Sequence, residues 1–207
     1  MSNQSLTDDL AYLRDMADAG SNAPLLGGRF LAWWGGLTAL AYLGHYAIIE
    51  GMMGLQPIAF AWMWGAYGVL GFGGYKLLQM TFPSSKPGAA STGNKVSGLV
   101  WTGAGITLFA YFSGAILRSF ADGQASDAFF WSVPLVLGVY GLSQLTSGVI
   151  AGNKVLTMAG WGAIASVAAA VFLIGSNVLW LLGAAVAFLT VFLPGVVLLR
   201  CEPSETV

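Results

Sequence analysis

Hydrophobic positions in this sequence come in long blocks rather than in alternation. Charged residues are absent from 51–75, 96–117, 128–153 and 155–199. Each block is enough helix to cross roughly 30 Å of hydrocarbon at ~1.5 Å per residue. The last is long enough for two crossings, divided by a turn signal at Gly175-Ser176-Asn177. With the block that opens at Phe30, the pattern predicts six spans, at 30–49, 57–75, 96–117, 128–152, 155–175 and 177–199. The expected fold is therefore an all-α membrane protein with six transmembrane helices in residues 29–200, a leader in 1–28 and a tail in 201–207.

Within the leader, Leu6, Leu10, Leu13 and Ala17 share one helical face, while Asp8, Asp9, Asp15 and Asp18 lie elsewhere and Ser5 or Thr7 can cap. A short amphipathic helix is expected. Its charge is mostly acidic, the opposite of helices that lie on anionic headgroups, so docking on protein is expected, with Lys76, Lys86 and Lys95 as candidates. The leader lacks the basic start and short apolar core of a cleavable signal peptide, so the first span should direct insertion. Residues 81–93, rich in Ser, Pro, Gly and Lys, read as the one sizeable loop.

Basic residues orient the spans. Arg14, Arg29, Lys76, Lys86, Lys95, Lys154 and Arg200 fall on one side and Arg118 on the other, which puts both termini in the cytoplasm of a bacterial inner membrane. Trp62, Trp64, Trp131 and Trp180 then mark the outer boundary and Trp33, Trp34 and Trp101 the inner one.

The spans also resemble one another. The Gly36-Leu37-Thr38-Ala39-Leu40-Ala41-Tyr42 run matches Gly105-Ile106-Thr107-Leu108-Phe109-Ala110-Tyr111, and Asn94-Lys95-Val96 matches Asn153-Lys154-Val155. Trp64 with Val69-Leu70-Gly71 matches Trp131 with Val136-Leu137-Gly138. Three repeated helical hairpins are expected, related by a pseudo-threefold axis along the membrane normal.

Polar side chains inside spans are the candidates for function, because each must find a partner or water in hydrocarbon. Thr38, Tyr42 and His45 share one face of the first span, and the repeat adds Thr107 and Tyr111. Tyr140, Ser143, Gln144 and Ser147 form the most polar stripe, on the fourth span. These nine residues are the candidate solute path; the competing reading is that they hydrogen-bond helices to one another. His45 is either an ordinary packed imidazole or a proton-sensitive gate. Small residues four apart, Gly148 with Gly152, Ala61 with Gly65 and Gly183 with Ala187, suit close helix contact within the chain or between subunits.

Composition narrows the classes further. With 57% hydrophobic and 8% charged residues, the chain cannot cover a soluble surface with polar groups, and it has no basic run for nucleic acid. No span carries a carboxylate near its middle, which leaves out an ion relay built on buried acids. One histidine and the single Cys201, on opposite sides of the membrane, offer neither paired haem ligands nor a metal set, so no cofactor, metal or enzymatic activity is expected.

Asn22-Ala23-Pro24-Leu25-Leu26-Gly27 resembles the Asn-Pro-Ala-Pro-Leu-Gly signature of the acetate uptake transporter family, with Ala23 in place of its first proline. Gly138-Val139-Tyr140, Gly148, Gly152 and Lys154-Val155-Leu156 are similar to another stretch of that family, and Gly183-Ala184-Ala185 with Phe188-Leu189 more loosely so. The resemblance implies a hexamer of six-helix protomers passing small monocarboxylates, with Asn22 and Pro24 near the path. Independently of it, the leader and first span resemble small bacterial inner-membrane proteins of no assigned role. Two functions stay open: a channel or facilitative transporter for a small neutral or weakly acidic solute, and a nonenzymatic accessory or regulatory subunit of a membrane complex. The expected partners are the lipid bilayer and either copies of the chain in a homo-oligomer or a second membrane protein.

Overall fold

The computed structural model describes residues 23–52, 54–81 and 88–202. The leader helix expected within 1–22 and loop residues 82–87 lie outside them, as does the proposed docking of one on the other. The described chain is helical: α1 (Gly28–Ile49), α2 (Ile58–Thr81), α3 (Thr92–Asp122), α4 (Ala128–Ile150), α5 (Lys154–Phe172), α6 (Val178–Ala187) and α7 (Leu193–Cys201). A π-helical turn, Phe188–Phe192, joins α6 to α7 as one rod. Pro194 has no N–H to return to the preceding turn, and the widened turn accommodates its ring.

Local signals set the ends. Ser91 caps α3 by accepting the Asn94 N–H, and Gly123, at φ 67°, ends it. This helix overshoots the expected 96–117 because both ends are polar and an i,i+4 pair, Arg118 with Asp122, supports its last turn. Asn153 caps α5 through the Leu156 N–H at 3.0 Å, directly after Gly152, which turns the chain at φ 62°. Gly175 does the same at φ 87° before α6.

α3, α4, α5 and the α6–α7 rod are each long and apolar enough to cross a membrane. The surface supports that environment. Trp62, Val69, Leu99, Met158 and Phe172 are all at least 74% exposed, while Thr38, Ser132, Ser143, Gln144 and Ser147 are buried. Apolar outside and polar inside is the arrangement lipid selects, and it makes this a multi-pass membrane protein.

Packing is uneven. α4 lies along α5 in the densest contact, α1 lies along α6 and α7, and α2 and α3 flank α1 and α4. The apolar segment of α3 is only 11% buried, against 56% for α4. Three like hairpins about a threefold axis would make α5–α6 resemble α1–α2, and would not make α4–α5 the tightest pair. The matched positions also play unlike roles: Asn153 caps its helix, whereas Asn94 lies inside α3 and Ser91 caps.

Glycine sets both close pairs. A Cβ on Gly35 would lie 2.4 Å from the Phe192 backbone nitrogen, and one on Gly195 would lie 2.3 Å from that of Ala32. Across α4–α5, Gly148 meets the Thr157 nitrogen and Gly160 the Leu145 nitrogen, each at 2.5 Å. Of the predicted small pairs, Gly148 and Gly183 make close contacts, whereas Gly152 serves the turn and Gly65 meets nothing within 4 Å. Gly28 packs at Leu199, and Arg29 pairs with Glu202 at 3.4 Å. Arg29, Lys95, Lys154 and Arg200 thus share one end of the bundle, here the basic end; Arg118 lies at the far end.

Candidate functional site

Polar groups run through the bundle in a column, starting at the basic end with Asn94. Its Oδ1 accepts the Leu26 N–H at 2.9 Å, and its Nδ2 donates to the carbonyls of Pro24 at 2.9 Å and Gly88 at 3.0 Å. One carboxamide therefore fastens the nonhelical 23–27 segment across that end. Leu25 and Leu26 are buried beneath it, Leu25 in a cluster with Tyr140, Leu156 and Leu198.

Asn94, Ser97 and Trp101 share a face of α3 at i, i+3 and i+7. One turn below Asn94, the Ser97 hydroxyl donates to that of Ser147 at 3.0 Å. One turn further, Trp101 lies against Tyr140 with ring centroids 5.7 Å apart. Tyr140 stands halfway along the 23-residue α4, and its hydroxyl lies near those of Thr38 on α1 and Tyr67 on α2. Thr38 and Tyr67 are themselves 3.0 Å apart. Three helices thus bring a hydroxyl each to one place, where the Thr38–Tyr67 pair is satisfied without water.

Between the serine pair and these hydroxyls lies Gln144. It is 0% exposed, and neither its Nε2 nor its Oε1 has a hydrogen-bond partner among the described residues. Neighbouring Ser143 spends its proton on the Val139 carbonyl at 2.7 Å.

Toward the far end the column becomes aromatic. Tyr42 is buried against Trp64 and Trp180. His45 stacks on Trp180 at 3.6 Å between centroids and contacts Phe60 at 4.6 Å. The Trp64 indole N–H donates to its Nδ1 at 3.1 Å. An indole nitrogen only donates, so Nδ1 carries the lone pair and the proton sits on Nε2, which makes the imidazole neutral. The Trp180 indole N–H has no hydrogen-bond partner among the described residues.

The structure therefore brings Thr38, Tyr42, Tyr140, Gln144 and Ser147 into one column, buries Ser143 beside it and ends it at His45. Thr107 and Tyr111 do not join. Thr107 is exposed and donates to the Gly103 carbonyl of its own helix at 2.9 Å. Tyr111 ties α3 to α4 at the far end by donating to the Ala128 carbonyl at 2.6 Å. Three polar members were not picked out from sequence: Tyr67, Asn94 and Ser97. For Tyr67 a signal existed: Trp64, Tyr67 and Gly71 stand at i, i+3 and i+7, and α1 aromatics pack on that stripe. A groove of about 350 Å³ lined by Gly148, Val149, Gly152, Lys154, Thr157 and Met158 lies at the α4–α5 turn and holds none of the column except the helix that carries it.

Tyr67→Phe keeps the ring and removes the bridging hydroxyl, so it should destabilise the protein by ~1–2 kcal/mol. Thermal unfolding in detergent measures this, and an unchanged midpoint would mean that the hydroxyl bears no weight.

Compared with known protein families, with curated proteins and with solved structures, the chain matches none.

Proposed function

We propose that this protein is a nonenzymatic accessory or regulatory subunit of the bacterial inner membrane, with six spans and both termini in the cytoplasm. α1 and α2, 22 and 24 residues long, complete the count. Their Trp and Tyr side chains lower their mean hydropathy but largely pack on each other, as Trp34 does on Gly71 and Trp33 on Gly74. Basic residues gathered at one end support the orientation.

The observation that carries the reading is the Thr38–Tyr67 hydroxyl pair, closed at 3.0 Å beside the buried Tyr140. The two paired hydroxyls bond each other rather than face a lumen, and aromatic rings fill the bundle on the far side. A solute would have to displace both. The lightly packed α2 and α3, with Gly65, Gly68, Gly98 and Gly105 turned away from the bundle, are the faces on which a partner helix or a second copy would pack closely.

A facilitator for a small neutral or weakly acidic solute, as the likeness to acetate uptake transporters implies, is the second reading; the unpartnered Gln144 amide favours it. Proteoliposome flux separates the two. Acetate, urea and glycerol should equilibrate at the rate of empty vesicles, and a saturable increase that Gln144→Leu removes would establish the facilitator instead.

A further inference from the structure

A carboxamide with no protein partner, sealed inside a membrane bundle, adds nothing to the fold. Each unpaired buried polar group costs roughly 1–3 kcal/mol, and more where no water competes. Gln144 carries two such groups. Its neighbours have capacity to spare: the Ser147 hydroxyl accepts from Ser97, and its own proton has no acceptor among the hydrogen bonds of the described residues. On one helix face, Gln144 and Ser147 lie a turn apart, close enough to hold one molecule between them.

Access is one-sided. Toward the far end, Tyr140, Thr38 and Tyr67 close the column, and His45 packs with Trp64 and Trp180 beyond them. Toward the basic end the cover is the 23–27 segment. That segment has no helical ladder of its own; Asn94 holds its Leu26 N–H and its Pro24 carbonyl. Releasing that one side chain removes these hydrogen bonds, and the buried Leu25 and Leu26 must lift for the strap to open.

We propose that Gln144, with Ser147, is a dead-end binding site for a small neutral molecule that presents a hydrogen-bond donor beside an acceptor, reached from the basic end when Asn94 lets go of the 23–27 strap. The donor and acceptor of a carboxamide stand side by side, so an amide or urea group pairs with it through two hydrogen bonds. Charged molecules are excluded, because among the described residues no opposite charge lines the column to repay their desolvation. Binding without passage makes the site one for sensing, which rests on the accessory reading and goes beyond it.

The test is solution NMR of the full chain in nanodiscs with ¹⁵N-labelled glutamine, the Gln144 side-chain signal being identified by its loss in Gln144→Met. Acetamide is the probe. A saturable shift of that signal, absent for sodium chloride, and roughly tenfold faster side-chain hydrogen exchange in Asn94→Ala are expected. If Asn94→Ala does not fold, Asn94→Asp serves, since it keeps the acceptor for Leu26 and loses both donors. A contact with water but no acetamide shift would reduce the site to a structural water and overturn the proposal, as would no shift and no water contact. Unchanged exchange in the folded variants would overturn the strap as the way in.

Discussion

Gly35→Leu and Gly160→Leu are each expected to abolish folding, while Gly65→Leu and Gly105→Leu leave a monodisperse protein with unchanged thermal unfolding. The difference lies in what a side chain would meet. At Gly35 a Cβ falls 2.4 Å from the Phe192 nitrogen and 2.9 Å from the Val191 carbonyl carbon; at Gly160 it falls 2.5 Å from the Leu145 nitrogen. These are backbone atoms, which no rotamer change can move, so the helices themselves must part. Ordinary overpacking costs ~1–3 kcal/mol when side chains can adjust. Here the shift would also undo the interdigitation along a whole helix pair, and the cost should exceed that range, a large share of the ~5–15 kcal/mol that holds a typical protein together. Gly65 and Gly105 have nothing within 4 Å. Fluorescence-detected size-exclusion and thermal melts in detergent decide the matter. If Gly35→Leu melted like the unaltered protein, the contact of α1 with the α6–α7 rod at its π-helical turn would not exist as described; if Gly65→Leu dissociated a stable oligomer, it would identify the α2 face as the contact between copies.

The same glycines show where sequence reasoning runs out. That lipid surrounds most side chains was legible, because uncharged blocks of span length have no other solvent. The α4 stripe was legible for a local reason: Tyr140, Ser143, Gln144 and Ser147 lie on one face, and a face that polar in hydrocarbon must turn inward, as it does. Thr107 and Tyr111 misled because they were placed by likeness to Thr38 and Tyr42. A threonine on a helix satisfies itself at the carbonyl one turn back, as Thr107 does at Gly103, and then has no need of the interior. Likeness between apolar helices therefore fixes neither which face is buried nor which neighbour packs there. The Gly28, Gly35 and Gly195 contacts join the first described helix to the last, and nothing local names so distant a partner. A spacing of seven, shared by Gly28 with Gly35 and Gly141 with Gly148, was the available sign that each pair lies along one antiparallel neighbour.

Gln144→Met and Gln144→Glu are expected to move stability in opposite directions. Methionine has nearly the volume of glutamine and no strong polar group, so it fills the same space and removes two unpartnered atoms. Midway between the Ser97–Ser147 pair and the Tyr140 hydroxyl, that exchange should raise stability by ~1–3 kcal/mol. Glutamate keeps the shape but brings an ionisable group into a fully buried position where no cation faces it, and should cost several kcal/mol, of order ~3 or more. Thermal unfolding of the two variants beside the parent measures both signs. A protein destabilised by Gln144→Met would reveal a partner for the amide that is satisfied in the folded bundle, and with it both the dead-end site and the facilitator reading would lose their footing. A protein stabilised by it would place Gln144 among residues kept at the expense of the fold. In a bundle whose other buried polar groups mostly pair with each other or with backbone, such a residue is retained for a molecule it binds.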